Sequence, residues 1–356
     1  MHLSPTSLGA WTQCERLYQG LYVDRLKFKG VRLPAMRSTW AHRGIAGVLG
    51  GSHFRAVAAE MATGFAADFR ASKMVDAFGM PIIHHQAGSV LVIEQAALVE
   101  AVVLAWTRTR LPAMAGWRVL QTERVSTLAL GQSRFHDTVE FQIKPDWVLM
   151  DDTKMVIRPF DVKLASTIDQ EWLDQWQVSP QSFWYHYALA RLFPAYKVEP
   201  LWIEAVDIGR AGKLRHNSPL IYAHSAQTYP PYDEDLIFYE NAPRRAQLFR
   251  AWSPEDTKLA DPLARHVERI PDTVLAKRFV SVEGVPPQMA APDVDQMFGD
   301  VLKIADQIEA RKREGAFRWT GLMSGHCATP YNRCPFYRRC YRVDDWEKWY
   351  ETRAES

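Results

Sequence analysis

An α/β fold is what this chain predicts, with strands and helices interleaved about a central sheet. Two neighbouring apolar runs, Glu140 to Met150 and Met155 to Leu164, read as strands joined by the turn residues Asp151-Asp152-Thr153-Lys154. A helix starts behind them at Ser179-Pro180 and runs to about Leu192, and Lys197 to Ile208 alternates as a further strand. Periodic apolar faces over Ser52 to Lys73, Val90 to Arg110 and Val294 to Glu314 predict covering helices.

The 356 residues are enough for one large elaborated domain, and 47% hydrophobic with 24% charged residues is a globular composition that argues against disorder. A net charge of +2 places any nucleic-acid binding in a local basic groove rather than in global charge. The apolar stretch Val90 to Trp106 is interrupted by Glu94 and Glu100, and no leader pattern opens the chain, so the expectation is a soluble cytoplasmic protein. The chain divides into an N-terminal segment at 1–30, a core at 31–209, a stretch at 210–292 cut up by prolines, and a C-terminal helix with cysteines at 293–356.

The chemistry concentrates in the two strands. Pro145 forces an irregularity beside Asp146, and the second strand carries Asp161-Val162-Lys163, so that Asp161 and Lys163 share a face. Two carboxylates with the Val162 carbonyl suit a hard divalent cation, Mg²⁺ or Mn²⁺. Lys163 beside that cation suits orienting a water or stabilising developing phosphate charge. Gln181 and Tyr185 are spaced i, i+4 on the following helix, which brings an amide and a phenol to the same region.

Four cysteines remain. Cys14 follows a helix that starts at Ser4, while Cys327, Cys334 and Cys340 lie together with gaps of six and five residues. Those gaps are too wide for paired Cys-x-x-Cys zinc knuckles, and four soft thiolates suit a 4Fe–4S cluster. Zinc, with His326 beside Cys327, ranks second, and two disulfides rank third for a reducing compartment.

Pro145-Asp146, a second acid fifteen residues on in Asp161-Val162-Lys163, and Gln181-Ser182-Phe183-Trp184-Tyr185 together resemble the RecB-type branch of the PD-(D/E)xK nuclease superfamily. The cysteine pattern and the Ser4 to Cys14-Glu15-Arg16 opening resemble its iron–sulfur members, including AddB-like enzymes and CRISPR-adaptation exonucleases. The six residues between Cys327 and Cys334 depart from that group's usual short spacing. The resemblance implies a restriction-endonuclease-like mixed central sheet flanked by helices, with helical additions. It also implies a cysteine-rich C-terminal staple in which Cys14, Cys327, Cys334 and Cys340 hold the cluster. It further implies a metal-reaching histidine near an early helix; His42 fits that pattern best, with His53 as the fallback.

The function implied is a metal-dependent deoxyribonuclease, working as an exonuclease on single-stranded or end-bearing DNA. Its setting would be replication, recombination or phage DNA processing, with the corresponding proteins as partners. A non-catalytic nucleic-acid-binding scaffold with a decayed core and a ribonuclease are the rival expectations. Glu123, expected in mid-strand within Trp117 to Thr127, is a further acid that this arrangement brings towards the metal or leaves in solvent.

Overall fold

In the computed structural model the sheet-forming runs pair as strands, although the first divides between two sheets. The structure describes residues 1–28, 31–72, 74–75, 87–165, 168–177, 179–208, 272–276, 279–284, 291–318, 334, 336–340 and 350–353. In chain order the first elements are β1 (His2–Leu3), α1 (Pro5–Gln13), α2 (Glu15–Tyr18), a π-helical turn at Gln19–Val23, β2 (Leu26–Phe28) and β3 (Val31–Arg32). Three long helices, α3 (Leu33–Leu49), α4 (Phe54–Ala71) and α5 (Ala87–Thr109), follow, with β4 (Met74–Val75) between the last two. The sheet-forming part is β5 (Arg118–Thr122), β6 (Ser126–Gly131), β7 (Val139–Ile143), β8 (Trp147–Asp151) and β9 (Val156–Ala165). Then come α6 (Gln170–Gln177), α7 (Pro180–Leu192), β10 (Lys197–Val198) and β11 (Trp202–Asp207). The last elements are α8 (Asp272–Ala276), β12 (Phe279–Glu283), α9 (Ala291–Glu314), α10 (Tyr337–Cys340) and β13 (Tyr350–Thr352).

The central sheet has six strands in the order β12-β11-β9-β8-β5, with β10 also on β9. It is mixed: β9 pairs parallel with β10 and β11, and the β8–β9, β5–β8 and β11–β12 pairs are antiparallel. The β8–β9 hairpin closes through Asp151, whose Oδ1 accepts from the Thr153 amide at 3.0 Å and the Lys154 amide at 3.2 Å. A second sheet has the order β1-β7-β6.

The run Glu140 to Met150 is therefore two strands. β7 ends in the small sheet at Ile143 and β8 begins in the central sheet at Trp147. Pro145 has no N–H with which to continue a ladder, so the chain turns there instead of merely bending. The paired ribbon turns at the same level, where Glu123 has φ 44° and its amide donates to the Asp146 carbonyl at 2.7 Å. Glu123 is thus a corner residue between β5 and β6 rather than a mid-strand one.

Side-chain alternation along β8 divides the core. Trp147 and Leu149 pack with α3, α4 and α5, while Val148 and Met150 pack on the opposite face with α1, α7 and α9. Phe160 on β9 meets Trp147 with ring centroids 5.4 Å apart and Trp106 of α5 at 6.5 Å. Emptying such an aromatic site typically costs ~3–5 kcal/mol, so this cluster fixes the strands that carry the charged groups. α5 contains Val99, Val102 and Val103, all fully buried, and burial outweighs their weak helix preference. Gly44 lets α3 close on α5, since a Cβ there would come within 2.4 Å of the Val103 side chain.

β12 lies within the stretch at 210–292, and it pairs with β11 from Trp202 opposite Glu283 to Val206 opposite Phe279. The sequence also predicts one charged helix within that stretch, around Ser253 to Ile270, and it falls outside the described residues. Among the described residues no helix is long and apolar enough to cross a membrane.

The first and last segments meet. β13 pairs antiparallel with β2, Arg339 forms an ion pair with Asp24, and the Glu15 carboxylate accepts from Arg311 Nε at 3.1 Å and from the Arg318 amide at 2.9 Å. Gly20 leaves room for Phe336, whose ring a Cβ at that position would meet at 2.8 Å.

Candidate metal centre

Four parts of the fold bring side chains to the centre. β9 supplies Asp161 and Lys163 on one face, the β7–β8 corner supplies Asp146, α3 supplies His42, and α7 supplies Gln181 and Tyr185. Ser179 caps α7 by accepting from the Ser182 amide at 3.1 Å, and Pro180 occupies the first turn, so the helix starts where Gln181 faces β9.

Asp161 is fully buried, and its two oxygens differ. Oδ2 accepts from Lys163 Nζ at 2.5 Å and from Gln181 Nε2 at 2.9 Å. Oδ1 is buried and accepts from no amide, amine or hydroxyl, and the remaining hydrogen bond of the Asp161 carboxyl is to the Asp146 carboxyl. Ligand atoms of His42, Asp146 and Asp161 all lie within 4.8 Å of one another. Acceptors facing acceptors at this range need a proton or a cation between them.

The histidine is fixed by the same logic. His42 Nε2 lies 2.6 Å from the Val162 carbonyl, which can only accept, so Nε2 carries the proton. Nδ1 then presents its lone pair 3.2 Å from Asp146 Oδ2. Burial holds the imidazole below its ordinary pKa and therefore neutral at pH 7, the form that ligates metals. The Val162 carbonyl is consequently engaged by His42, and its use as a ligand would require that ring to turn.

Burial pushes the Asp146 carboxyl up to about 9, assisted by its hydrogen bond with Asp161 and the charge there. Burial acts in the same sense on Asp161, but the Asp146 hydrogen bond and the Lys163 charge outweigh it and hold that carboxyl below its ordinary range. The pair thus keeps a single proton, on Asp146, and that proton can leave when a cation takes its place.

Tyr185 does not face the carboxylates with its oxygen as donor. Its hydroxyl donates to the Lys144 carbonyl at 2.7 Å and accepts from Gln181 Nε2 at 3.1 Å. Burial raises the phenol well above its usual pKa, so it remains a donor and ties α7 to the corner that carries Asp146. Lys163 Nζ also sits 5.1 Å above the ring of Trp176 on α6. Trp176 was not singled out by sequence reasoning; its only signal was the i, i+4 pair with Trp172.

Two expected residues stand apart. Glu123 is half exposed and pairs with Lys144 at 2.9 Å, at the rim rather than among the metal-facing oxygens. His53 is exposed at the start of α4, stacked on Phe54, away from the His42 group. Of the cysteines, Cys14 is buried between α1 and α2, and Cys14, Cys334 and Cys340 are not joined in disulfides. They form no group as tight as that of His42, although the segments carrying them touch through Gly20 and Phe336. His326 and Cys327 lie outside the described residues.

No protein-family model matches the chain, and no curated protein matches it.

Proposed function

We propose that this protein is a metal-dependent nuclease of the RecB-type branch of the PD-(D/E)xK superfamily, with a restriction-endonuclease-like core. The observation that carries the reading is the convergence of His42, Asp146 and the fully buried Asp161, whose ligand atoms lie within 4.8 Å of one another, with an ammonium on Asp161 Oδ2. A bound Mg²⁺ or Mn²⁺ would supply charge neutralisation and a more acidic water. His42, Asp146 and Asp161 would hold it, His42 through Nδ1. Lys163 is poised to meet the scissile phosphate, Gln181 holds Asp161 in place, and Tyr185 holds the corner bearing Asp146. DNA is the proposed substrate, in replication, recombination or phage DNA processing.

The cysteines fit a structural cluster in their chemistry: three of the four are thiols, Cys14 is buried, and the N- and C-terminal segments are already in contact. Cys14, Cys327, Cys334 and Cys340 would hold a 4Fe–4S group that staples these segments, with zinc as the alternative.

The test is incubation of end-labelled single-stranded DNA, duplex DNA and RNA with Mg²⁺, Mn²⁺ or EDTA. Cleavage of DNA that needs either cation is expected. Cleavage that persists in EDTA would remove the metal from the account, and cleavage confined to RNA would change the substrate.

A further inference from the structure

Lys163 Nζ has one acceptor among the described residues, Asp161 Oδ2 at 2.5 Å. An ammonium on a long flexible stem swings about a single acceptor, so this ion pair fixes its distance from Asp161 without fixing its direction. The second contact comes from α6, where the Trp176 ring centroid lies 5.1 Å from the ammonium. A cation over an indole face is held by the quadrupole of the ring, and indole is the strongest aromatic face for this purpose.

Trp176 is itself held in place. Its carbonyl accepts from the Ser182 hydroxyl at 3.2 Å and from the Ser179 amide at 3.4 Å. That ties it to the first turn of α7, whose Gln181 donates to the same Asp161 oxygen as Lys163. Trp172 packs on its ring with centroids 5.7 Å apart. α6 buries no residue fully, so the core does not dictate an aromatic at this position. The indole also carries a cost that phenylalanine or leucine would avoid, because its Nε1 is buried with no acceptor among the described residues. Packing alone gives no reason for that cost, whereas the face turned to Lys163 does.

We infer that Trp176 is a positioning residue for Lys163: its ring, together with the Asp161 carboxylate, sets where the ammonium stands to meet the scissile phosphate. The inference rests on the nuclease reading and adds to it a residue that acts through Lys163.

The test replaces Trp176 by tryptophan fluorinated around its benzo ring, introduced by nonsense suppression, which keeps the shape of the ring and drains electron density from its face. Trp176→Phe and Trp176→Leu accompany it, with melting curves for all three. Trace acetylation of the full chain, read by mass spectrometry as Lys163 against the exposed Lys197, reports how firmly the amine is held, independently of catalysis. Lys163 is expected to become at least ~3-fold more reactive in the fluorinated protein and in Trp176→Leu, with Trp176→Phe between them and wild type. The fluorinated protein is expected to melt as wild type. Single-turnover DNA cleavage should fall in the same order, by ~3–10-fold, with little change in KM. Unchanged Lys163 reactivity in the fluorinated protein overturns the proposal, since a ring that merely packs does so with or without fluorine. Raised reactivity, with no cleavage by wild type in Mg²⁺ or Mn²⁺, leaves Trp176 holding Lys163 and removes the nuclease reading. Cleavage at the wild-type rate by the fluorinated protein removes the positioning role and leaves the nuclease reading standing.

Discussion

Lys163→Ala is expected to lower the rate constant for DNA cleavage at least ~100-fold, equivalent to about 2.7 kcal/mol of transition-state stabilisation, with little change in melting temperature. The side chain is a quarter exposed, and among the described residues its ammonium meets Asp161 Oδ2 and the Trp176 face rather than the apolar core. Asp161→Ala should be as severe for a different reason: it deletes the carboxylate that pairs with Lys163 and that would hold the proposed cation. Tyr185→Phe is the useful contrast. It removes one hydroxyl that donates to the Lys144 carbonyl, worth ~1 kcal/mol as a hydrogen bond, and leaves the packing of α7 unchanged. Single-turnover rates on single-stranded DNA read all three. Full activity in either Lys163→Ala or Asp161→Ala would dismantle the assigned centre.

Cys14→Ala is expected to remove the visible absorbance of anaerobically purified protein and to destabilise it by ~2–5 kcal/mol, because a crosslink that joins distant segments restricts the unfolded chain. Cys334→Ala should do the same. The ion pairs of Glu15 with Arg311 and of Asp24 with Arg339 remain in both variants, so the segments stay docked while the ligand set is broken. Absorption spectra, iron content and thermal melts provide the comparison. A zinc site built from His326 and the three C-terminal cysteines would survive the loss of Cys14, and full metal content in Cys14→Ala would refute the staple.

The parts of this account that could be read from the sequence are local. Alternation and an Asx turn sufficed for the β8–β9 hairpin, and the same alternation put Asp161 and Lys163 on one face. Ser179-Pro180 marked the start of α7, and i, i+4 spacing joined Gln181 to Tyr185, whose side chains do hydrogen-bond. What escaped depends on contacts between distant segments. A proline signals that a ladder stops but not that the chain changes sheets, so the split at Pro145 and the corner at Glu123 had no local mark. β12 is a five-residue run after many prolines, and it becomes a strand because β11 offers an edge. The role of the Tyr185 hydroxyl likewise needed the position of Lys144, a contact spanning 41 residues. His42 was reached through the family resemblance, since a lone histidine on a helix carries no signal of its own.

Calorimetric titration of Mn²⁺ into the protein, repeated in two buffers of different ionisation enthalpy, bears most directly on the central claim. Asp146 keeps its proton up to about 9, so a cation entering at pH 7 must displace it. The expected result is saturable binding of a single ion per chain at this site, with release of about one proton and an affinity that rises up to ~10-fold per pH unit between pH 7 and 9. Acidification should weaken binding, because the proton and the cation compete for the same oxygens. Asp161→Asn and His42→Ala should abolish or greatly weaken this binding. Undiminished binding in either variant would contradict a metal centre formed by His42, Asp146 and Asp161, and wild-type binding without proton release would contradict the proton placed on Asp146.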